Sequence, residues 1–183
     1  MDDPTLPTPP VAPVRRIVTT RSRTGRSRIL FDGEAPKTLT VLTELWRSGA
    51  SDPVLDEDAS LGSDRLDPPK GGSVFRFFEI APASQTAHMS AEEQESAAAN
   101  WFKGLNAEHS RVDTRRDPNM HSSPTTDYVV LLRGEITLVL DDEEVRMKPF
   151  DTVVQRQTNH AWRNDGMQTA LLMAVLVDES HRG

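Results

Sequence analysis

Hydrophobic positions along this chain recur mostly with a period of two, in short runs bounded by turn residues. After Asp127 the runs follow one another closely. Tyr128–Leu132, Glu135–Leu140, Glu144–Lys148, Thr152–Arg156, His160–Arg163 and Gln168–Val177 read as strands. Gly134, the acidic turn Asp141-Asp142-Glu143, the Pro149 turn and Asn164-Asp165-Gly166 separate them. Short strands at even spacing with turn signals between them predict an antiparallel sandwich or barrel. Tyr128–Leu132 is apolar on both parities, which predicts a strand covered on both faces.

The first half of the chain carries further strands. Val14–Thr20 and Ser27–Phe31 flank a turn at Gly25, and Asp32-Gly33 reads as a second turn. Thr38–Trp46 alternates, with Leu39, Val41, Thr43 and Leu45 on one face and Thr40, Leu42, Glu44 and Trp46 on the other. Ser73–Ile80 is a strand dense in phenylalanine. One helix is expected, over Ser90–Leu105. Ser90 and Glu93 form a capping box, and Ala98, Trp101, Phe102 and Leu105 fall on one stripe that stops beside Gly104.

Two stretches carry no such periodicity. Residues 1–13 hold five prolines and read as a disordered, extended tail. Arg47 to Gly72 holds six acidic residues, two adjacent prolines and few large apolar side chains, which predicts a long surface loop of the kind that forms lids. Residues 14–183 are then expected to make one domain.

Composition narrows the function classes. The net charge is −7 and the pI about 5.2, against a nucleic-acid partner, and no helix-turn-helix accompanies the strands. The six arginines between Arg15 and Arg28 are read as a solvated strand pair. The absence of cysteine removes disulfides, thiolate metal sites and a cysteine nucleophile. Asp2 and Asp3, with no apolar segment after them, do not make a signal peptide. The longest apolar run, Ala170 to Val177, is too short to span a bilayer. Together these predict a cytoplasmic protein with no membrane partner.

Candidate chemistry gathers between Met120 and Asn164. His121, Ser123 and Asp127 share one parity, as do His160, Trp162 and Asn164, so side chains of each set share a face of their strand. If the strands are neighbours in one barrel, His121, Asp127 and His160 converge inside it. Two imidazoles and a carboxylate suit a divalent metal with open positions, or an acid–base pair. Gln155 is a candidate polar contact, and Trp46 and Trp162 could stack on a planar substrate. His88, His109 and His181 lie in loop or terminal contexts and receive no role. Arg115 and Arg116, in the charged run Arg111 to Asp117, could close over an anion. Phosphate loops, nucleophile elbows and zinc-helix motifs are absent from the sequence.

These residues resemble the two motifs of the cupin family, most clearly over residues 119–177. His121 matches the first motif's leading histidine, Asp127 stands where its glutamate would be, and Gly134 follows at the family's spacing. Pro149 introduces the second motif's turn, His160 matches its histidine, and Asn164 follows at the family's interval. Ser123 replaces the second histidine of the first motif, and Phe150 replaces the turn glycine. The resemblance implies an all-β, cupin-type antiparallel jelly-roll barrel with extra N-terminal strands and one inserted helix. It implies an enzyme acting on a small organic molecule by decarboxylation, dehydration, isomerisation or oxygenation. Iron, manganese, nickel or zinc would sit on His121, Asp127 and His160, with Ser123, Gln155, Trp162 and Trp46 toward the substrate. A metal-free enzyme using a His/Asp pair and a non-catalytic binding barrel are the alternatives. A homodimer is expected, with the N-terminal strands at or near its interface.

Overall fold

The structure is a computed structural model describing residues 14–38, 41–49, 58–60 and 65–180. The proline-rich stretch 1–13, residues 50–57 and 61–64 of the acidic loop, and His181 lie outside the described residues. Eleven strands, one α-helix and two one-turn 3-10 helices are formed among the described residues.

The chain opens with a hairpin of β1 (Arg15–Arg21) and β2 (Ser27–Glu34), which together form a two-stranded sheet. Its turn sits at Gly25, whose φ of +78° is left-handed backbone that glycine adopts at little cost. Asp32-Gly33, expected as a second turn, instead continues β2. Asp32 pairs with Ile17 and Gly33 with Arg16 across the hairpin. Arg15 holds Asp32 in a fork, with Nε and Nη2 at 2.7 and 2.9 Å from its two oxygens. An Asp-Gly pair turns the chain when its glycine takes a positive φ, and Gly33 does not.

The expected strand over 38–46 is broken. β3 (Lys37–Thr38) pairs with β4 (Leu42–Ser48), and β4 continues alongside β5 (Ser73–Ile80). A bulge between Glu44 and Trp46 shifts the register, so the alternation read from sequence changes face partway along β4.

The helix α1 (Ala91–Gly104) follows β5 as predicted. Ser90 caps it, its hydroxyl accepting from the Glu93 amide while the Glu93 carboxylate accepts from the Ser90 amide. Phe102 of this helix packs with Leu42, Leu105 and Ala107 in a buried cluster of their own.

The remaining strands are β6 (Thr125–Arg133), β7 (Ile136–Leu140), β8 (Glu144–Met147), β9 (Thr152–Arg156), β10 (His160–Arg163) and β11 (Ala170–Asp178). Six strands form one antiparallel sheet in the order β3-β4-β5-β11-β6-β9, and three form a second in the order β10-β7-β8. These sheets are the walls of a jelly-roll barrel, with the β1–β2 hairpin and α1 as additions. Val74, Val129, Leu131, Leu172 and Ala174 from the larger sheet meet Ile136, Leu138 and Met147 from the smaller in one core cluster. Gly134 turns β6 into β7 at φ +83°, and a Cβ there would lie 2.9 Å from the Ala170 backbone. A side chain at this crossing would collide with β11.

β6 departs from expectation on its outer face. Tyr128 is 51% exposed and its cross-strand partner Val154 is 57% exposed, so only the inward parity of this strand is covered. Among the described residues no helix is long and apolar enough to cross a membrane.

Candidate functional site

β10 begins at His160, hydrogen-bonded along one edge to β7, with His160 opposite Leu140. On its other side the chain leading into β6 passes close enough to form a single antiparallel bridge. His121 N–H donates to His160 C=O and His160 N–H donates to His121 C=O, both at 2.9 Å. Residues directly opposite in such a bridge project to the same side, so the two rings stand together with centroids 4.3 Å apart. Phe102 lies against His121 at 5.0 Å and Trp162 stands edge-on to His160 at 5.7 Å.

The protons on these rings are fixed by their neighbours. His121 Nδ1 is 2.9 Å from the Asn119 carbonyl oxygen, and His160 Nδ1 is 3.0 Å from that of Thr158. A carbonyl only accepts, so each Nδ1 carries the hydrogen and each Nε2 keeps its lone pair. No hydrogen bond to either Nε2 is formed with ordinary geometry among the described residues, although the His160 backbone acts weakly on the His121 ring. Burial, with His121 alongside, pushes the His160 imidazolium down to about 3, and burial lowers His121 as well. Two neutral imidazoles therefore present bare nitrogens together.

Asp127 lies on β6 between Leu176 of β11 and Gln155 of β9. Only 7% of it is exposed. It accepts from the Thr125 hydroxyl, which is itself 2.6 Å from Ser123 Oγ. Its Oδ1 is buried without a hydrogen-bond partner. Burial raises its carboxyl to about 6, outweighing the Thr125 bond and the charge of Arg76 that oppose the shift.

His121, Asp127 and His160 all line one cavity of about 480 Å³, alongside Trp101, Phe102 and Trp162. The volume falls within the range of small-molecule sites, about 300–1,000 Å³. The two Nε2 atoms suit two positions of an iron, manganese, nickel or zinc site. Among the described residues, however, no three His, Asp or Glu side chains gather into a group that could hold an ion. Asp127 is one methylene shorter than the glutamate of the family pattern and is anchored to Thr125. The residues present do not fit the three-ligand set.

Of the other expected contacts, Trp162 lines the cavity and three residues do not. Ser123 is buried and turned to Thr125. Gln155 is buried, with its amide donating to the Thr158 hydroxyl. Trp46 is carried away by the bulge in β4. Beyond it Trp46 pairs with Phe75 and Arg47 with Val74, whereas before it Glu44 pairs with Arg76 and Leu42 with Phe78. Trp46 thus joins the Phe75 face, opposite to the face of Arg76 and Phe78, which line the cavity. Arg115 pairs with Asp113, and Arg116 with the Asp141 carbonyl and Glu144, so neither closes over the site. His109 pairs with Asp67. Asn164 is structural: its amide donates to the Ile80 and Gln168 carbonyls, both at 2.8 Å.

Sequence reasoning missed Arg76, which is 2% exposed and lines the cavity. Its signal was available. On β5 the parity of Val74, Phe78 and Ile80 is apolar except at Arg76.

Residues 109–176 match the family model described as Cupin domain. A stretch of 46 residues is 56% identical to Phomopsin biosynthesis cluster protein C' of Diaporthe leptostromiformis, covering 25% of this chain and 24% of that protein. A stretch of 63 residues is 38% identical to Cupin-domain-containing oxidoreductase virC of Hypocrea virens, covering 32% of each. The matches thus span about a quarter to a third of these curated relatives' length. Among solved structures, an RmlC-like cupin family protein with a double-stranded β-helix fold from Methanocaldococcus jannaschii aligns at 12% identity. That alignment has a TM-score of 0.38 and covers 60% of this chain and 73% of the other.

The two kinds of buried titrating group act on stability in opposite directions. Asp127 has a folded value of about 6 against 3.8 for the free side chain, so the folded state holds the extra proton and stability falls as pH rises through that window. His160 has a folded value of about 3 against 6.5, so the unfolded state holds the extra proton and stability is lost as pH falls. Asp127→Asn removes only the first effect. Its stability relative to wild type is expected to climb by about 3 kcal/mol between roughly pH 4 and pH 7. Urea denaturation across that range checks this, and a pH-independent difference would contradict the burial assigned to Asp127.

Proposed function

This chain belongs to the cupin superfamily through residues 109–176, and we propose that it is an enzyme moving protons on a small organic molecule held in the barrel cavity. The observation that carries the reading is the unpartnered, buried oxygen of Asp127 in a cavity shared with two bare imidazole nitrogens. A carboxyl at about 6 exchanges its proton near neutral pH, which is what a general acid or base requires. Asp127 serves as the proton carrier. His121 and His160 accept hydrogen bonds from substrate hydroxyl or enol oxygens through Nε2 and so orient the reacting carbon. The mostly apolar wall strengthens the electrostatics of these groups. Isomerisation, dehydration and decarboxylation all fall within this chemistry, and no step is routed through a metal. The relatives named for biosynthesis clusters accord with a small-molecule substrate.

We place the working protein in the cytoplasm, in keeping with its lack of cysteine. It works as a homodimer. Tyr128 and Val154 on the outer face of β6 and β9, and Ile17 and Ile29 on the N-terminal hairpin, are large apolar side chains exposed on a single copy. Covering them is the gain that pairing would supply.

Two measurements follow. Incubation in D₂O with a panel of small keto and hydroxy acids, read by proton NMR, is expected to show exchange or turnover at a carbon beside a carbonyl. Asp127→Asn should slow that reaction at least about a hundred-fold, the scale of general acid–base catalysis. An Asp127→Asn protein as fast as wild type would remove the carboxyl from the mechanism. Light scattering on the eluting protein should give twice the chain mass of 20.4 kDa. Tyr128→Lys with Val154→Glu should shift it toward monomer. A wild-type monomer at working concentration would end the dimer proposal.

A further inference from the structure

Arg76 is an unusual tenant of this cavity. It comes from the middle of β5, with only 2% of its surface exposed. Its Nη2 forms an ion pair with Glu44 Oε1 at 2.9 Å and donates to the Arg65 carbonyl at 3.0 Å. Its Nε and Nη1 are buried and have no hydrogen-bond partner. A guanidinium stays charged in proteins, and unmet donors on a buried one are costly to leave empty. The protein already spends Glu44 on one side of the group, and Arg47 competes for that carboxylate at 3.7 Å. Asp127 feels the charge of Arg76, yet no hydrogen bond joins them and Asp127 Oδ1 is itself unpartnered. Arg76 and Asp127 both line the cavity, and two donors of the one and a carboxyl oxygen of the other are buried unmet behind its surface.

We propose that Arg76 binds a carboxylate group of the substrate, and that the substrate is a small carboxylic acid with an aromatic or other flat apolar body. A carboxylate oxygen supplies the charged acceptor that Nε or Nη1 lacks; the two donors lie on different edges of the guanidinium, so one of them makes the contact. The body of the molecule lies among Phe78, Trp101, Phe102 and Trp162, which line the cavity. Those flat rings leave the two imidazole Nε2 atoms to face its remaining polar groups. This proposal rests on reading the cavity as the substrate site, and adds the class of substrate and the residue that selects it.

Trp101 and Trp162 line the cavity, so their fluorescence reports its occupation. The probes are benzoate, 3-phenylpropionate and cinnamate, each compared with its own primary amide, which keeps the shape and loses the charge. Wild type is expected to bind at least one acid roughly ten-fold or more tighter than its amide, the margin of a charge-assisted pair. Arg76→Lys should keep part of the preference. The double variant Arg76→Gln with Glu44→Gln removes both members of the buried pair, leaving no carboxylate stranded, and should reduce the preference to within about two-fold. Equal or tighter binding of the amides, failure of every acid to bind, or an undiminished preference in the double variant would each overturn the proposal. If neither variant folds, the wild-type comparison of acids with amides decides alone. Binding is read without turnover. A carboxylate preference in a protein whose reactions ignore Asp127→Asn keeps Arg76 and discards the acid–base mechanism. Turnover that needs Asp127 but shows no preference for acids does the reverse.

Discussion

The site depends on one pair of backbone hydrogen bonds, the exchange between His121 and His160 at 2.9 Å in each direction. It ties the segment before β6 to the first residue of β10, outside any regular ladder. Because opposed residues project to the same side, the bridge alone sets the two rings side by side. The carbonyls two residues earlier, of Asn119 and Thr158, then take the Nδ1 protons. Backbone geometry thus fixes ring position and tautomer together. Met120, next to the bridge, packs with Val139 and Ala161 in a small fully buried cluster that holds this corner of the barrel.

Around the rings, burial sets the protonation states. Taking a charge out of water disfavours it in either direction, so imidazolium is suppressed while the Asp127 carboxyl holds its proton further up the pH scale. Both move toward neutrality for one physical cause. Arg76 is the exception, since a guanidinium cannot shed its proton at any working pH and burial leaves it charged. The cavity is therefore lined by neutral acceptors, two carboxyl groups, Asp127 and Glu79, and one permanent cation. That uneven set is what gives a mostly apolar space a direction.

Much of the architecture was legible in the sequence. The strands after Asp127 were visible because turn residues bound each run, and α1 because Ser90, Glu93 and its apolar stripe agree. The meeting of His121, Asp127 and His160 at one cavity was legible through parity and the family pattern. What stayed hidden depends on register. A bulge cannot be seen in the alternation it disrupts, so Trp46 was assigned to the wrong side of β4. The Asp32-Gly33 pair looks like a turn until Ile17 and Arg16 are found opposite it in the hairpin. Whether Asp127 reaches a shared ion depends on where Thr125 holds it. Phe150 adopts φ +74° at the place where the family pattern has glycine, so the backbone kept the turn although the residue changed. The buried partners Arg76 and Glu44 are far apart in sequence and meet only through the pairing of β4 with β5.

The central claim is that the paired imidazoles are neutral and present bare Nε2 atoms to the cavity. Nitrogen-15 NMR of the histidine rings tests it most directly, through long-range proton–nitrogen correlations that separate the three protonation forms. His121 and His160 should both show the Nδ1–H tautomer at about pH 8, and His160 should remain neutral at about pH 5, below the ordinary histidine range. A His160 ring that is imidazolium at pH 5, or an Nε2–H tautomer on either ring, would contradict the account.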